Sequence, residues 1–311
     1  MIDVLFLGTG GGAPNSRRNL SSVILNFKGR KILVDCGEGT QLSMKIAKTG
    51  FKDIDIICIS HCHGDHIIGF PGILSTIGNS GRTDPLTIIG PRDIIRVVKG
   101  LTVITPYLPY ELNIIENPVA QLSFNIIKEN LKLESDGEIL INTLEVNHSI
   151  PCIAYNFIIK RKAKFNSEKA VRDNIPKKLW SILQKGQYVN YEGKLYSPNM
   201  VLGEEREGIK ISFVTDTTPI DSLIPFIEGS DMLICEGTYG KDDDIDKAIK
   251  NKHMTFSQAA TLAYRGHVKE LILTHFGVAM ENPEEFIGFA RNIFENSYVG
   301  KDRMIKSLKF N

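Results

Sequence analysis

The sequence predicts an α/β protein built from two sheet-forming halves whose sheets are covered by helices, and three observations carry that prediction. Short apolar runs rich in β-branched residues alternate with stretches of helix-like apolar spacing. This alternation occurs twice along the chain, which favours sheets packed under helices over a bundle or an all-β barrel. Polar residues with metal-ligand side chains stand where several of the strands end. No low-complexity tract or short-period repeat points to a solenoid.

In chain order, the first half reads as strands at residues 4–7, 22–27, 31–35, 54–60, 86–89, 124–127 and 139–146. Helical stretches fall at 39–48, 66–77 and 92–101. The second half opens with a strand at 154–159 and continues with strands at 209–215, 232–236 and 270–274. Its helices are expected at 220–227, 255–264 and 283–296. Gly64 and Asp65 are expected to turn the chain between the 54–60 strand and the helix after it. At 311 residues the chain exceeds the usual single-core size, so one large domain with an insertion is expected.

Composition sets the background. A hydrophobic share of 42% and a charged share of 23% describe an ordinary soluble globular protein. Met1 leads directly into strand-like Val4-Leu5-Phe6-Leu7 without a basic or signal-like segment, and no apolar stretch approaches a membrane span. A cytoplasmic protein without membrane partners is expected. The five cysteines, Cys36, Cys58, Cys62, Cys152 and Cys235, are odd in number and lack Cys-x-x-Cys spacing, so disulfides are not expected. The net charge of +1 is unevenly spread: residues 160–194 carry ten basic side chains against three acidic ones, a local +7 that leaves the rest at −6. Phe165, Trp180, Tyr188, Tyr191 and Tyr196 lie among or just beyond these charges. Cations with interleaved aromatics suit a phosphate backbone, and an ordinary exposed insertion with a small core of its own is the plainer alternative.

The densest chemical signal is His61-Cys62-His63-Gly64-Asp65-His66, four metal-ligand side chains in six positions. With 7 His in the chain, a shuffled sequence would show this pattern in about one case in several thousand. Cys62 alternates with His61 and His63, so its side chain is expected to point away from theirs. His148, Asp216 and His275 each follow a predicted strand, as His61 does. Seven ligands suffice for two metals, and imidazoles with a few carboxylates suit Zn²⁺ best, with Mn²⁺ or Fe²⁺ as alternatives.

The set His61, His63, Asp65, His66, His148, Asp216 and His275 resembles the binuclear site of the metallo-β-lactamase superfamily. Gly8-Thr9-Gly10, Pro14, Arg18-Asn19, Ser21-Ser22 and Asp35-Cys36-Gly37-Glu38-Gly39-Thr40-Gln41 resemble the opening of the ribonuclease Z family, endonucleases that remove 3′ trailers from precursor tRNA. The resemblance covers nearly the whole chain. It implies a four-layer αβ/βα sandwich, a homodimer, and a tRNA-gripping arm inserted at about 160–196. It implies two Zn²⁺ per chain, precursor tRNA as partner, and a pair, His253 and Glu236, that protonates the leaving 3′ oxygen. On this reading His61, His63 and His148 hold one ion, Asp65, His66 and His275 the other, and Asp216 bridges. Asp65 also orients or deprotonates the attacking water. Arg18 and Asn19, with Lys177, Lys178 and Lys185 of the arm, become candidate substrate contacts.

The chain also departs from the family pattern. Ser16 stands at a position where many members carry lysine, Cys235 where a histidine is common, and Phe276-Gly277-Val278-Ala279-Met280 where many read Ser-x-Arg-Tyr. The arm lacks the Gly-Pro pair that many bacterial arms carry. His267 has no comparable context and reads as a surface residue. A hydrolase of small phosphodiesters such as cyclic nucleotides, and a non-catalytic RNA-binding protein, are the competing functions.

Overall fold

The computed structural model describes residues 1–310. The first sheet grows from β1 (Ile2–Gly8), β2 (Ser22–Phe27) and β3 (Arg30–Val34), continues after α1 (Thr40–Ile46) with β4 (Ile54–Cys58), and after α2 (Gly64–Ile67) and α3 (Phe70–Asn79) with β5 (Leu86–Gly90). Helix α4 (Ile94–Leu101) then leads to β6 (Leu112–Glu116). Strands β1 to β3 pair antiparallel, and β3 to β6 are parallel.

The second sheet contains β7 (Leu122–Ile127), β8 (Asn130–Leu133), β9 (Ile139–Glu145) and β10 (Ile153–Arg161). The inserted segment follows, with α5 (Ser167–Arg172), α6 (Lys177–Gln184) and a hairpin of β11 (Val189–Tyr191) and β12 (Lys194–Tyr196). The sheet resumes with β13 (Arg206–Val214), and after α7 (Leu223–Ile227) with β14 (Met232–Glu236). Then come α8 (Ile245–Asn251), α9 (Phe256–Arg265), β15 (Leu271–Thr274), α10 (Ile287–Arg291) and β16 (Ser297–Val299). Strand β17 (Ile305–Leu308) returns to the first sheet. The orders are β17-β1-β2-β3-β4-β5-β6 and β16-β15-β14-β13-β10-β9-β7-β8.

Helices α1, α3 and α4 cover one face of the first sheet through Met44, Phe70, Ile73, Leu74, Ile77, Ile94 and Val98. Helices α7, α9 and α10 do the same for the second through Leu223, Ile227, Phe256, Ala259, Ala260, Ala263 and Ala290. Residues of the opposite parity, Val4, Phe6, Ile56 and Cys58 in one sheet and Phe213, Ile234 and Ile272 in the other, are equally buried, so each sheet covers the other. The Tyr155 hydroxyl crosses between them, donating to the carbonyls of Ile59 at 2.7 Å and Ile89 at 3.1 Å. The four-layer αβ/βα sandwich expected from the sequence is therefore the observed fold.

Asp55 lies in the fully buried strand β4, where an unpaired carboxylate would be costly. It is met by the guanidinium groups of Arg30 at 2.6 Å and Arg82 at 2.9 Å and by Leu131 N–H at 2.9 Å, which ties β8 of the second sheet to the first.

Four expectations need correction. The 124–127 and 139–146 strands belong to the second sheet, because β9 pairs antiparallel with β10 through the short loop between them. Gly64 and Asp65 lie inside α2 rather than in a turn. The single helix expected at 66–77 is broken at Ile68–Gly69, where Gly69 lies against the β3–α1 loop so closely that a Cβ would stand 2.4 Å from the Gly37 carbonyl oxygen. Pro71 then starts α3. The 283–296 stretch holds one 3₁₀ turn and the short α10, not a continuous helix.

The inserted segment forms a compact unit, residues 160–208 with Phe310, so it runs past Tyr196. Its core is small: Ala170, Ile175, Leu179, Leu183, Tyr196 and Val201, with Phe165 and Trp180 packed against it. The Trp180 indole N–H donates to the Ile175 carbonyl at 2.9 Å, which satisfies its one polar atom. Among the described residues no helix is long and apolar enough to cross a membrane, and all five cysteines are free.

Candidate metal centre

Five loops at strand ends converge on one point. The loop after β4 brings His61, His63, Asp65 and His66; those after β9, β13 and β15 bring His148, Asp216 and His275; and the one after β1 brings the Gly11–Gly12 backbone. A cavity of about 380 Å³ opens here, lined by Gly11, Gly12, His63, Asp65, His148, Asp216, His253 and His275 among others. Asp216 and His275 hold positive φ values of 48° and 55°, a conformation that side chains with a Cβ rarely adopt. Such strain costs about 1–3 kcal/mol per residue and persists where its surroundings over-determine it.

The ligand atoms fall into two groups. His61, His63, His148 and Asp216 form one, and Asp65, His66 and His275 the other, with the donor atoms of each within 4.8 Å of one another. Asp216 lies between them. Its Oδ2 faces His61 Nε2 at 3.5 Å and His148 Nε2 at 3.9 Å. Its Oδ1 faces His66 Nε2 at 3.5 Å and His275 Nε2 at 3.3 Å.

Ring nitrogens also face one another at short range: His61 Nε2 and His63 Nδ1 at 3.0 Å, His148 Nε2 and His63 Nδ1 at 3.2 Å, His66 Nε2 and His275 Nε2 at 3.1 Å. The outer nitrogens explain this arrangement. His66 Nδ1 lies 2.7 Å from Asp35 Oδ2, His61 Nδ1 3.1 Å from Ser60 Oγ, His275 Nδ1 3.1 Å from Thr238 Oγ1, and His148 Nδ1 3.3 Å from the Lys252 carbonyl. Each outer acceptor holds the imidazole N–H and turns the Nε2 lone pair inward. Lone pairs facing lone pairs repel unless a cation lies between them, so the donor set fits metal ions.

The charge states agree. Burial, with neighbouring imidazoles, holds His61, His63 and His148 below the ordinary histidine pKa, leaving them neutral ligands at neutral pH. Burial opposes charge on Asp65 and Asp216, yet the surrounding histidines outweigh it and keep both carboxyls well below the usual range. His66 behaves differently: burial would discharge it, but Asp216 and Asp35 raise its pKa well above the usual value. Cys62 packs into the apolar cluster of the first sheet and joins neither ligand group.

Glu236, fully buried at the end of β14, accepts from Thr217 N–H at 2.7 Å, Thr238 Oγ1 at 2.6 Å and Met254 N–H at 3.1 Å. Its Oε1 also meets His253 Nδ1 at 3.1 Å. Burial disfavours the imidazolium, but the adjacent carboxylate prevails and raises His253 to about 9. His253 stands just before the capping box in which Thr255 and Gln258 start α9, and its ring stacks near that of His275, centroids 5.5 Å apart. His253 thus lines the cavity with its Nδ1 held by a buried carboxylate. With Asp216 and His275 it also forms a third group that could ligate a metal.

Arg18 donates to the carbonyls of Met280 and, at 3.4 Å, Glu281, and its guanidinium lies over the Phe276 ring. Asn19 donates its backbone N–H to Asp302 at 2.7 Å. Both brace loops, and neither lines the cavity. Lys177, Lys178 and Lys185 are exposed on and just after α6, with Lys178 3.8 Å above the Tyr191 ring centroid. His267 is exposed. Sequence reasoning assigned no role to Asp35, Ser60, Thr238 or Gly12, whose N–H donates to Asp65 Oδ2 at 2.6 Å. A polar residue directly after an apolar strand was the available signal for Asp35 and Ser60.

The family model described as "Anti-Pycsar protein Apyc1" matches residues 2–183. A ribonuclease Z of Clostridium novyi (strain NT) is 82% identical over 310 residues, covering 100% of both chains. The crystal structure of human tRNase Z, short form, is 24% identical with a TM-score of 0.69, covering 99% of this chain and 100% of that one. The metallo-β-lactamase fold protein YhfI from Bacillus subtilis is 20% identical, also with a TM-score of 0.69, over 99% of this chain and 100% of that one. The two structures share the fold.

Proposed function

We propose, on the premise that this chain belongs to the ribonuclease Z family along its whole length and matches the Apyc1 family over residues 2–183, that it removes 3′ trailers from precursor tRNA with two zinc ions and leaves a 3′-hydroxyl. It is a metal-dependent hydrolytic endoribonuclease that processes tRNA 3′ ends. The observation that carries the finer reading is Asp216, whose two oxygens each face a separate histidine group.

In this reading His61, His63 and His148 would hold one ion and Asp65, His66 and His275 the second, with Asp216 available to both. Five imidazoles with two carboxylates are a donor set that suits zinc. The ions would supply positive charge to the attacking, leaving and phosphoryl oxygens of an in-line displacement. Asp65 accepts the proton of the attacking water as the new P–O bond forms. The P–O3′ bond breaks, and His253, held protonated by Glu236, donates its proton to the departing 3′ oxygen. The exposed cations of residues 160–208, Lys177, Lys178 and Lys185 among them, bind the tRNA phosphates, and Arg18 and Asn19 support substrate indirectly through the loops they brace. The exposed Leu42 and Ile46 on α1 offer apolar surface to a second copy in a homodimer.

The test is an assay of the purified protein on a precursor tRNA with a 3′ trailer, beside a chromogenic phosphodiester and a cyclic nucleotide. The expected result is one cut that leaves a ligatable 3′-hydroxyl on the tRNA, lost on chelation and restored by zinc. Hydrolysis of the small diesters with an intact precursor would favour a small-molecule phosphodiesterase, and binding without cleavage a non-catalytic protein.

A further inference from the structure

The loop after β1 touches the centre twice. Gly12 N–H donates to Asp65 Oδ2 at 2.6 Å, and Gly11 lies so close to the His275 ring that a Cβ would stand 2.4 Å from Cε1. The position of this loop therefore sets both the Asp65 carboxylate and the His275 ring. One side is held by the chain around His275: Phe276 N–H donates to the Thr9 carbonyl at 2.9 Å, and Gly11 N–H to the Phe276 carbonyl at 3.0 Å. The other side is held from the far end of the chain. Asp302, in the turn before β17, accepts Thr9 N–H at 3.0 Å and Thr9 Oγ1 at 2.9 Å on Oδ1, and Asn19 N–H at 2.7 Å on Oδ2. Asn19 in turn accepts Gly10 N–H on its carbonyl at 2.9 Å. All three groups that meet Asp302 are donors, so the site calls for a side chain that only accepts, and a carboxylate is one.

From this geometry we infer that Asp302 is a positioning residue for the Asp65–His66–His275 half of the metal centre, acting through Thr9 to Gly12. It contacts neither the ligands nor the cavity; it latches the loop that does. The inference rests on the two-metal reading and adds to it an asymmetry: losing the latch should loosen one half of the centre and spare the His61–His63–His148 half, to which this loop makes no hydrogen bond.

The experiment titrates metal-free protein with Zn²⁺ and measures the two binding steps in the wild type and in Asp302→Asn. The amide keeps the size of the side chain but turns an N–H₂ toward one of the donors, so one set of bonds is lost. One step should weaken about tenfold, the lower end of what changes in outer partners of metal ligands cost, and the other should be unchanged. The turnover number should fall by a similar factor on precursor tRNA and on a chromogenic diester. Thr9→Val, which removes only the hydroxyl donor, should shift the same step by less. Unchanged binding in both variants would overturn the inference, as would equal weakening of both steps together with a lower melting temperature. Absence of any zinc step in the wild type would defeat the two-metal reading, and this inference with it.

Discussion

The metal centre and the 160–208 unit hold most of the functional charge of this chain in opposite ways. In the centre, His61, His66, Asp216 and His275 are almost fully buried, and the outer nitrogen of each of the three histidines meets a named partner. In the inserted unit, Lys177, Lys178 and Lys185 stand exposed around a core of six buried residues. A buried network depends on every member, because a partner left unpaired in a low dielectric is costly. Exposed cations act collectively, each contributes little, and salt screens them. Chemistry should therefore fail abruptly with single changes, whereas recognition should fail gradually or only when the whole unit is removed.

The largest effect tests the centre. Asp216→Ala removes the carboxylate whose two oxygens face both histidine groups, so cleavage of precursor tRNA and of a chromogenic diester should both drop to background, while circular dichroism shows the fold retained. Activity on either substrate would break the proposed division between the regions.

Replacing the 160–208 unit by a short Gly-Ser link should raise the Michaelis constant for precursor tRNA by about 10³-fold, given the steep dependence of binding on phosphate contacts, and leave the small diester almost untouched. Equal loss on both substrates would show that the unit supports the centre rather than the tRNA. Raising the salt concentration should weaken the intact protein on tRNA alone.

His253→Ala should lower turnover on RNA by about 10²-fold without changing metal content, the usual scale for a lost general acid. The loss should shrink on a p-nitrophenolate ester, whose leaving group needs no proton at neutral pH. Depleted metal in this variant would instead make His253 a ligand, as its grouping with Asp216 and His275 allows.

Much of this is legible in the sequence. His61 to His66 announced themselves by crowding, and His148, Asp216 and His275 by standing at strand ends, because strand periodicity is a local signal. Partner choice was not local. Nothing in residues 124–127 or 139–146 says which sheet they join, and β17 pairs with β1 across nearly the entire chain. The helices α5 and α6 were missed because their apolar positions bury only a few side chains among many charges. The role of Asp35 is not local either: it comes from a bond to His66, 31 positions away, and from a backbone φ of 58°. The brace formed by Asp302 was invisible for the same reason.

The central claim is that the buried cluster is a two-metal centre. It is tested most directly by elemental analysis of protein purified without exposure to chelator. Two transition-metal ions per chain, predominantly zinc, are expected in the wild type and their loss in Asp216→Ala; a wild-type protein carrying none would contradict the two-metal centre.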